Sequence, residues 1–106
     1  MTDTLNKLAA TIAARRGAHP ASSYVAKLLA AGAPLAARKL GEEAVETVVA
    51  ALSGDVAELT GEAADLLFHL LVLLEVRGVA LTDVLAELDR REGVSGIAEK
   101  ASRKDS

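Results

Sequence analysis

From Pro34 to Gly78 the sequence reads as helix with one interruption, Gly54-Asp55. Proline suits the first turn of a helix, where its missing N–H goes unused. Glycine commonly ends a helix. Asp55, followed three residues later by Glu58, has the form of a capping box that starts the next one. Two helices joined by so short a break fold back on each other antiparallel. The second runs to about Arg77 and stops at Gly78, a rod of roughly 33 Å at ~1.5 Å per residue. The rest of the chain has to be arranged around this hairpin.

The remaining segments are also helical in period. Thr2 to Arg16 carries Leu5, Leu8, Ala9 and Ile12 on one stripe and ends at Gly17. His19-Pro20 is a turn. Ser22 or Ser23 caps a short helix with Tyr24, Leu28 and Leu29, stopped by Gly32. Thr82 is expected to cap a last helix (Val84, Leu85, Leu88) ending at Gly93, and the small, polar tail 94–106 is expected as a flexible end. Alanine (22) and leucine (17) dominate, against two isoleucines, so strand formers are scarce. The expectation is an all-α antiparallel bundle of about five helices, one domain over residues 1–106.

Several function classes fall away. With no cysteine there are no disulfides, thiolate zinc sites or cysteine nucleophiles. Tyr24 and Phe68 are the only aromatic residues, too few for a base-stacking platform, so no nucleic-acid partner is expected. The N-terminus lacks a signal-peptide pattern, and no apolar stretch approaches the ~20 residues of a membrane span. The expectation is a soluble, cytoplasmic protein without membrane association.

Leu66 to Leu74 is apolar almost all round a helix, broken only by His69. Such a segment needs cover on every side. Five modest helices do not easily supply it, and a large exposed apolar patch usually marks an interface. A homodimer with these helices at its centre completes the core; the alternative is a monomer with one central helix.

Residues 42–65 hold seven acids and no base, while the first 39 residues hold six bases and one acid. A solvated acidic face is the plain explanation of such a run, so spacing must decide. Glu43 and Glu46 are three apart on one helix; Glu62 and Asp65 are three apart on the next. Each pair spans about 60° of its helix, so both carboxylates point the same way. Glu46 lies about seven residues before the turn and Glu62 about seven after it, which puts the pairs at similar heights in an antiparallel hairpin. Converging carboxylates repel unless a cation joins them. Oxygen ligands in this number suit a hard divalent ion, Mg²⁺ first and Mn²⁺ second.

Other residues flank the cluster. Glu42 sits about 100° round from Glu43, a candidate for a second ion or for positioning water. Lys39 lies on the Glu43 and Glu46 face, where it either makes an ordinary i,i+4 ion pair or, as the only base on that face, meets a phosphate. Gly41 and Gly61 directly precede the acid motifs, and a mid-helix glycine costs about 1 kcal/mol relative to alanine. Each suggests room for close approach by a helix or ligand; alternatively the second helix starts near Thr60 and Gly61 lies in its first turn. His69, four residues after Asp65, is a hydrogen-bonded core residue, a partner of Asp65 or a substrate contact.

Lys39-Leu40-Gly41-Glu42-Glu43-Ala44-Val45-Glu46 followed by Glu62-Ala63-Ala64-Asp65 resembles the EExxE…ExxD signature of the MazG-like all-α nucleoside triphosphate pyrophosphatases. Ser23 to Leu29, Asp65 to Leu71 and Ser95 to Arg103 narrow the resemblance to its phosphoribosyl-ATP pyrophosphatase family, over roughly residues 4–103. Val25 and Phe68 stand where that family commonly has Thr and Tyr. The resemblance implies Mg²⁺-dependent hydrolysis of phosphoribosyl-ATP to phosphoribosyl-AMP and pyrophosphate, the second step of histidine biosynthesis. By it, Glu43, Glu46, Glu62 and Asp65 hold the metal and Glu42 or Glu46 handles the water. Lys39, Lys27, Tyr24, His69, Lys100 and Arg103 meet the substrate. The rival expectations are a house-cleaning pyrophosphatase for another (d)NTP and a non-catalytic helical dimerisation module.

Overall fold

The computed structural model describes residues 3–92; Lys100, Arg103 and the tail lie outside them. Five α-helices and one 3₁₀ turn make up the described chain: α1 (Thr4–Ala14), the turn Pro20–Ser22, α2 (Tyr24–Ala31), α3 (Ala33–Ser53), α4 (Val56–Arg77) and α5 (Leu81–Arg91). There is no strand among the described residues. None of the helices is long and apolar enough to cross a membrane.

The α3–α4 hairpin forms as its break dictates. Gly54 closes α3 in the left-handed region at φ +85°, where a side chain would be strained. Asp55 then caps α4, its carboxylate accepting the Glu58 backbone N–H at 3.1 Å. Pro34 sits in the first turn of α3. Ser23 caps α2 by accepting the Ala26 N–H at 3.2 Å. The last helix departs from expectation: α5 begins at Leu81 with Ala80 as its uncapped N-cap residue, and Thr82 lies inside it. The Ala80 carbonyl already accepts the Asp83 and Val84 N–H groups, so the helix starts before Thr82 can cap it.

The core sits where α1, α2 and the start of α3 meet the C-terminal half of α4. Ile12, Leu28, Ala36, Leu71 and Val72 are buried there, with Leu5, Leu8, Val25, Leu35 and Phe68 packed around them. Arg16 pins α1 to the end of α4, its Nε donating to the Glu75 carboxylate at 2.9 Å. Helix α5 buries no side chain fully. On α5, Arg90 and Arg91 hold the Glu87 carboxyl down to about 2.

The Leu66–Leu74 run is mostly covered within one chain, contrary to the expectation that it forms the exposed patch. Leu71 and Val72 are buried, and Leu67 alone is a markedly exposed member at 44%. Neighbours from α1, α2 and α3 reach round α4 at this level. The uncovered apolar surface lies on α3 instead. Val45, Val48, Val49 and Leu52 are all more than half exposed, Leu52 at 83%. At 100° per residue they fall within about 100° of arc, opposite Glu43, Thr47 and Ala50, which face α4.

Leu28→Ala tests this core directly, since Leu28 is 1% exposed. Urea titration at fixed protein concentration should show a loss of about 2–5 kcal/mol. A loss below about 1 kcal/mol would place Leu28 outside the core.

Candidate metal and phosphate site

Three carboxylates converge on the hairpin. Oxygens of Glu43 on α3 and of Glu62 and Asp65 on α4 all lie within 4.8 Å of one another. The register behind this is visible in Thr47. Its hydroxyl lies 2.7 Å from the Glu43 carbonyl oxygen, one turn back, and 3.2 Å from the Glu62 carbonyl oxygen across the hairpin. Thr47 and Glu62 are equally distant from the turn, so the two acid motifs face each other at one height. The role of Thr47 is not evident from the acid spacing; its signal is its place, four residues after Glu43 and mirror-symmetric with Glu62 about the turn.

The electrostatics are unfavourable as they stand. Desolvation is the largest cause that pushes the Glu62 carboxyl above the ordinary carboxylate range. A hydrogen bond with Glu43 and the charges of Glu43, Asp65 and Glu58 push the same way. One Glu43 oxygen, Oε2, is buried with no hydrogen-bond partner among the described residues. A buried acceptor without a partner is costly. Opposite ligands of an octahedral Mg²⁺ stand ~4 Å apart, close to the observed spread. The donor set, oxygen only, is that of a hard divalent cation. The residues present fit such an ion.

Glu46 does not join this group. It is exposed, on the flank of α3, and makes no hydrogen bond or ion pair with another described residue. Three of the four expected carboxylates are therefore brought together, and the fourth stands at the rim. Glu42 points further out and meets Lys39 at 3.5 Å and Arg38 at 3.8 Å. Lys39 is thus beside the cluster, held by a carboxylate that a stronger anion can displace. Gly61 is well inside α4, which starts at Val56, so it is no first-turn residue. A Cβ at Gly41 or Gly61 would meet nothing within 4 Å. Among the described residues, nothing occupies the space beside either glycine.

His69 is buried, 6% exposed, and faces away from solvent. Its Nδ1 lies 2.8 Å from the Asp65 carbonyl oxygen and its Nε2 lies 3.1 Å from the Tyr24 hydroxyl. Both ring nitrogens are therefore engaged by the protein, and the ring is not presented as a substrate contact. Tyr24 and Lys27 line an open cleft of about 590 Å³ with Pro20, Ala21, Ser22 and Ser23. The carboxylates are not part of that cleft; Tyr24 and His69 connect the two.

Comparison with known proteins agrees with the acid signature. The family described as phosphoribosyl-ATP pyrophosphohydrolase matches residues 5–92. A phosphoribosyl-ATP pyrophosphatase of Rhizorhabdus wittichii is 68% identical over 103 residues, covering 97% of both chains. One of Erythrobacter litoralis is 67% identical over 103 residues, covering 97% of this chain and 99% of its own. One of Dinoroseobacter shibae is 65% identical over 99 residues, covering 93% and 97%.

The raised Glu62 carboxyl gives a signed prediction for the cation-free protein. A carboxyl that is harder to ionise in the folded state makes folding less favourable above that raised pKa. The penalty fades as pH falls to the ordinary carboxylate range. Glu62→Gln should therefore melt at a higher temperature than wild type at pH 7–8 in chelator. The gap should narrow as the pH is lowered toward about 4. A variant less stable than wild type at pH 8 would show that the cluster is not under repulsion.

Proposed function

Because the chain belongs to the phosphoribosyl-ATP pyrophosphohydrolase family, we propose that it hydrolyses phosphoribosyl-ATP to phosphoribosyl-AMP and pyrophosphate in histidine biosynthesis. The reaction breaks the α–β phosphoanhydride and adds one water across it. The observation that carries the reading is the convergence of Glu43, Glu62 and Asp65 with an unpartnered buried oxygen, in a chain so similar to enzymes of that name.

Phosphoanhydride hydrolysis depends on charge neutralisation and positioning more than on covalent chemistry. Glu43, Glu62 and Asp65 would hold Mg²⁺, with Mn²⁺ as a substitute, and Glu46 at the rim would serve as a fourth ligand or as the residue that orients the attacking water. A divalent cation there offsets the negative charge of the triphosphate and acidifies water. Glu46 suits the water role better than Glu42, because Glu42 is already shared between Lys39 and Arg38. Lys39 leaves Glu42 for a phosphate oxygen. Lys27 and Tyr24 bind the substrate from the neighbouring cleft; Lys100 and Arg103 contribute from the C-terminal segment. The site works in a cytoplasmic homodimer, in which a second copy covers Val45, Val48, Val49 and Leu52, the apolar face of α3 opposite α4.

Two measurements test this. Pyrophosphate release from phosphoribosyl-ATP should require Mg²⁺ and exceed that from ordinary dNTPs by at least about tenfold in kcat/KM, an apolar or polar discrimination of ordinary size. Equal rates on dNTPs would favour a house-cleaning enzyme; no release from either would favour a dimerisation module. Glu46→Gln and Asp65→Asn should each abolish turnover while the helical fold survives, and near-wild-type turnover at saturating Mg²⁺ would remove that residue from the site. Sedimentation should give about twice 10.9 kDa, and Val48→Glu should shift it to the monomer; a folded wild-type monomer at micromolar concentration would contradict the dimer.

A further inference from the structure

His69 and Tyr24 lie between the two halves of the site. We infer that the Tyr24–His69 hydrogen bond is a positioning strut, which sets the Tyr24–Lys27 cleft against the carboxylate cluster so that one substrate spans both. The inference rests on the proposed hydrolysis for its kinetic consequence, but its structural content stands apart from it.

Among the described residues, His69 is the one polar side chain classed as buried. A carbonyl oxygen only accepts, so the Asp65 carbonyl 2.8 Å away requires the proton on Nδ1. With a neutral ring, Nε2 is then the acceptor, and the Tyr24 O–H donates to it at 3.1 Å. The bond joins α2 to α4 across 45 residues of sequence. Phe68 packs on the same pair: its ring meets His69 edge-on at 4.9 Å and lies nearly parallel to Tyr24, 20° between planes, at 6.2 Å. The two aromatic residues and His69 thus form one cluster.

The placement explains why this bond matters beyond packing. Tyr24 is the first residue of α2 and forms the cleft edge nearest α4, and Lys27 is one turn on. At its other end the imidazole sits on the backbone of Asp65, whose side chain belongs to the carboxylate group. A substrate held by phosphates at the carboxylates and by Lys27 in the cleft needs these two regions at a fixed spacing. Tyr24 itself is half exposed, so without the hydroxyl contact its side chain is held by ring contacts alone, while α2 stays packed through Leu28. His69 acts on substrate placement through Tyr24 and does not touch the reacting atoms.

The test pairs Tyr24→Phe, which keeps the ring and its stacking and removes only the O–H, with His69 variants that leave the cleft residue Tyr24 itself intact. Expected is a rise in KM for phosphoribosyl-ATP of roughly three- to tenfold, the worth of one hydrogen bond. The kcat should stay within about twofold, and Mn²⁺ affinity measured by calorimetry without substrate should not change. His69→Gln, which offers Tyr24 an acceptor oxygen, should keep KM closer to wild type than His69→Leu does. An unchanged KM in Tyr24→Phe, or a loss of kcat and Mn²⁺ affinity in its place, would overturn the strut. A second measurement needs no substrate and no variant of His69. Nitrogen-15 NMR of the chain should find His69 protonated at Nδ1 and bare at Nε2, with the Nε2 signal moving in Tyr24→Phe. The opposite tautomer would overturn the assignment even if the enzyme is active. If wild type hydrolyses no phosphoribosyl-ATP, the proposed function fails and the positioning role with it, while the NMR arm still decides the hydrogen bond.

Discussion

The structure turns on mutual repulsion of three carboxylates that the hairpin register forces together. Gly54 and Asp55 fix where α3 ends and α4 begins. Once the turn is placed, residues equally distant from it must face each other, as Thr47 and Glu62 do. Glu43, Glu62 and Asp65 then share one small volume whether or not their charges favour it. Moving their backbones apart would mean shifting α3 against α4, and Ala50, fully buried on the hairpin side of α3, leaves no slack for that. Packing dominates, and electrostatic strain remains in the folded chain, readable in the raised Glu62 carboxyl and the unpartnered Glu43 oxygen. Such a cluster offers the all-oxygen donor set of a divalent-cation site.

A second consequence of the hairpin is that α3 is asked to be buried on two sides. One face meets α4 through Glu43, Thr47 and Ala50; the other carries Val45, Val48, Val49 and Leu52. An exposed stripe of four aliphatic side chains on one helix is more than the scattered apolar residues of an ordinary surface. Gly41 falls on the same side, about 40° from Val45 at 100° per residue, and has open space above it. The carboxylates and the exposed apolar stripe are thus on opposite sides of one helix, so a partner seated on the stripe would leave the carboxylates uncovered by that contact.

Much of this was legible before any coordinates, for local reasons. Helix caps, the hairpin break and the three-residue acid spacing depend on a few neighbouring residues, and Asp55, Ser23 and the Glu62–Asp65 pair stand as their patterns require. What failed or stayed open depends on distant neighbours. The Leu66–Leu74 run shows how much apolar surface α4 carries but not how much α1 and α2 cover, so the exposed stripe was expected on the wrong helix. Glu46 belongs to the acid motif by spacing, yet its side chain stands at the rim. His69 could not be assigned from the helix it sits on, because its second partner, Tyr24, lies 45 residues away. Thr82 is the local exception: threonine often caps a helix, but the Ala80 carbonyl, two residues earlier, already starts this one.

The central claim is that the carboxylate cluster is a cation site and not a solvated acidic face, and thermal stability measures that most directly. A ligand that binds only the folded state stabilises it by about 2.7 kcal/mol at 100 times its Kd. For a domain of this size about 1 kcal/mol moves the melting temperature by roughly 4–8 °C. Saturating Mg²⁺ should therefore raise the midpoint by roughly 10–20 °C over chelator at matched ionic strength. Mn²⁺ should do so at lower concentration, and Asp65→Asn should lose most of the shift. If NaCl of equal ionic strength reproduces the whole effect and Asp65→Asn leaves it intact, the cluster is only screened charge and the account is contradicted.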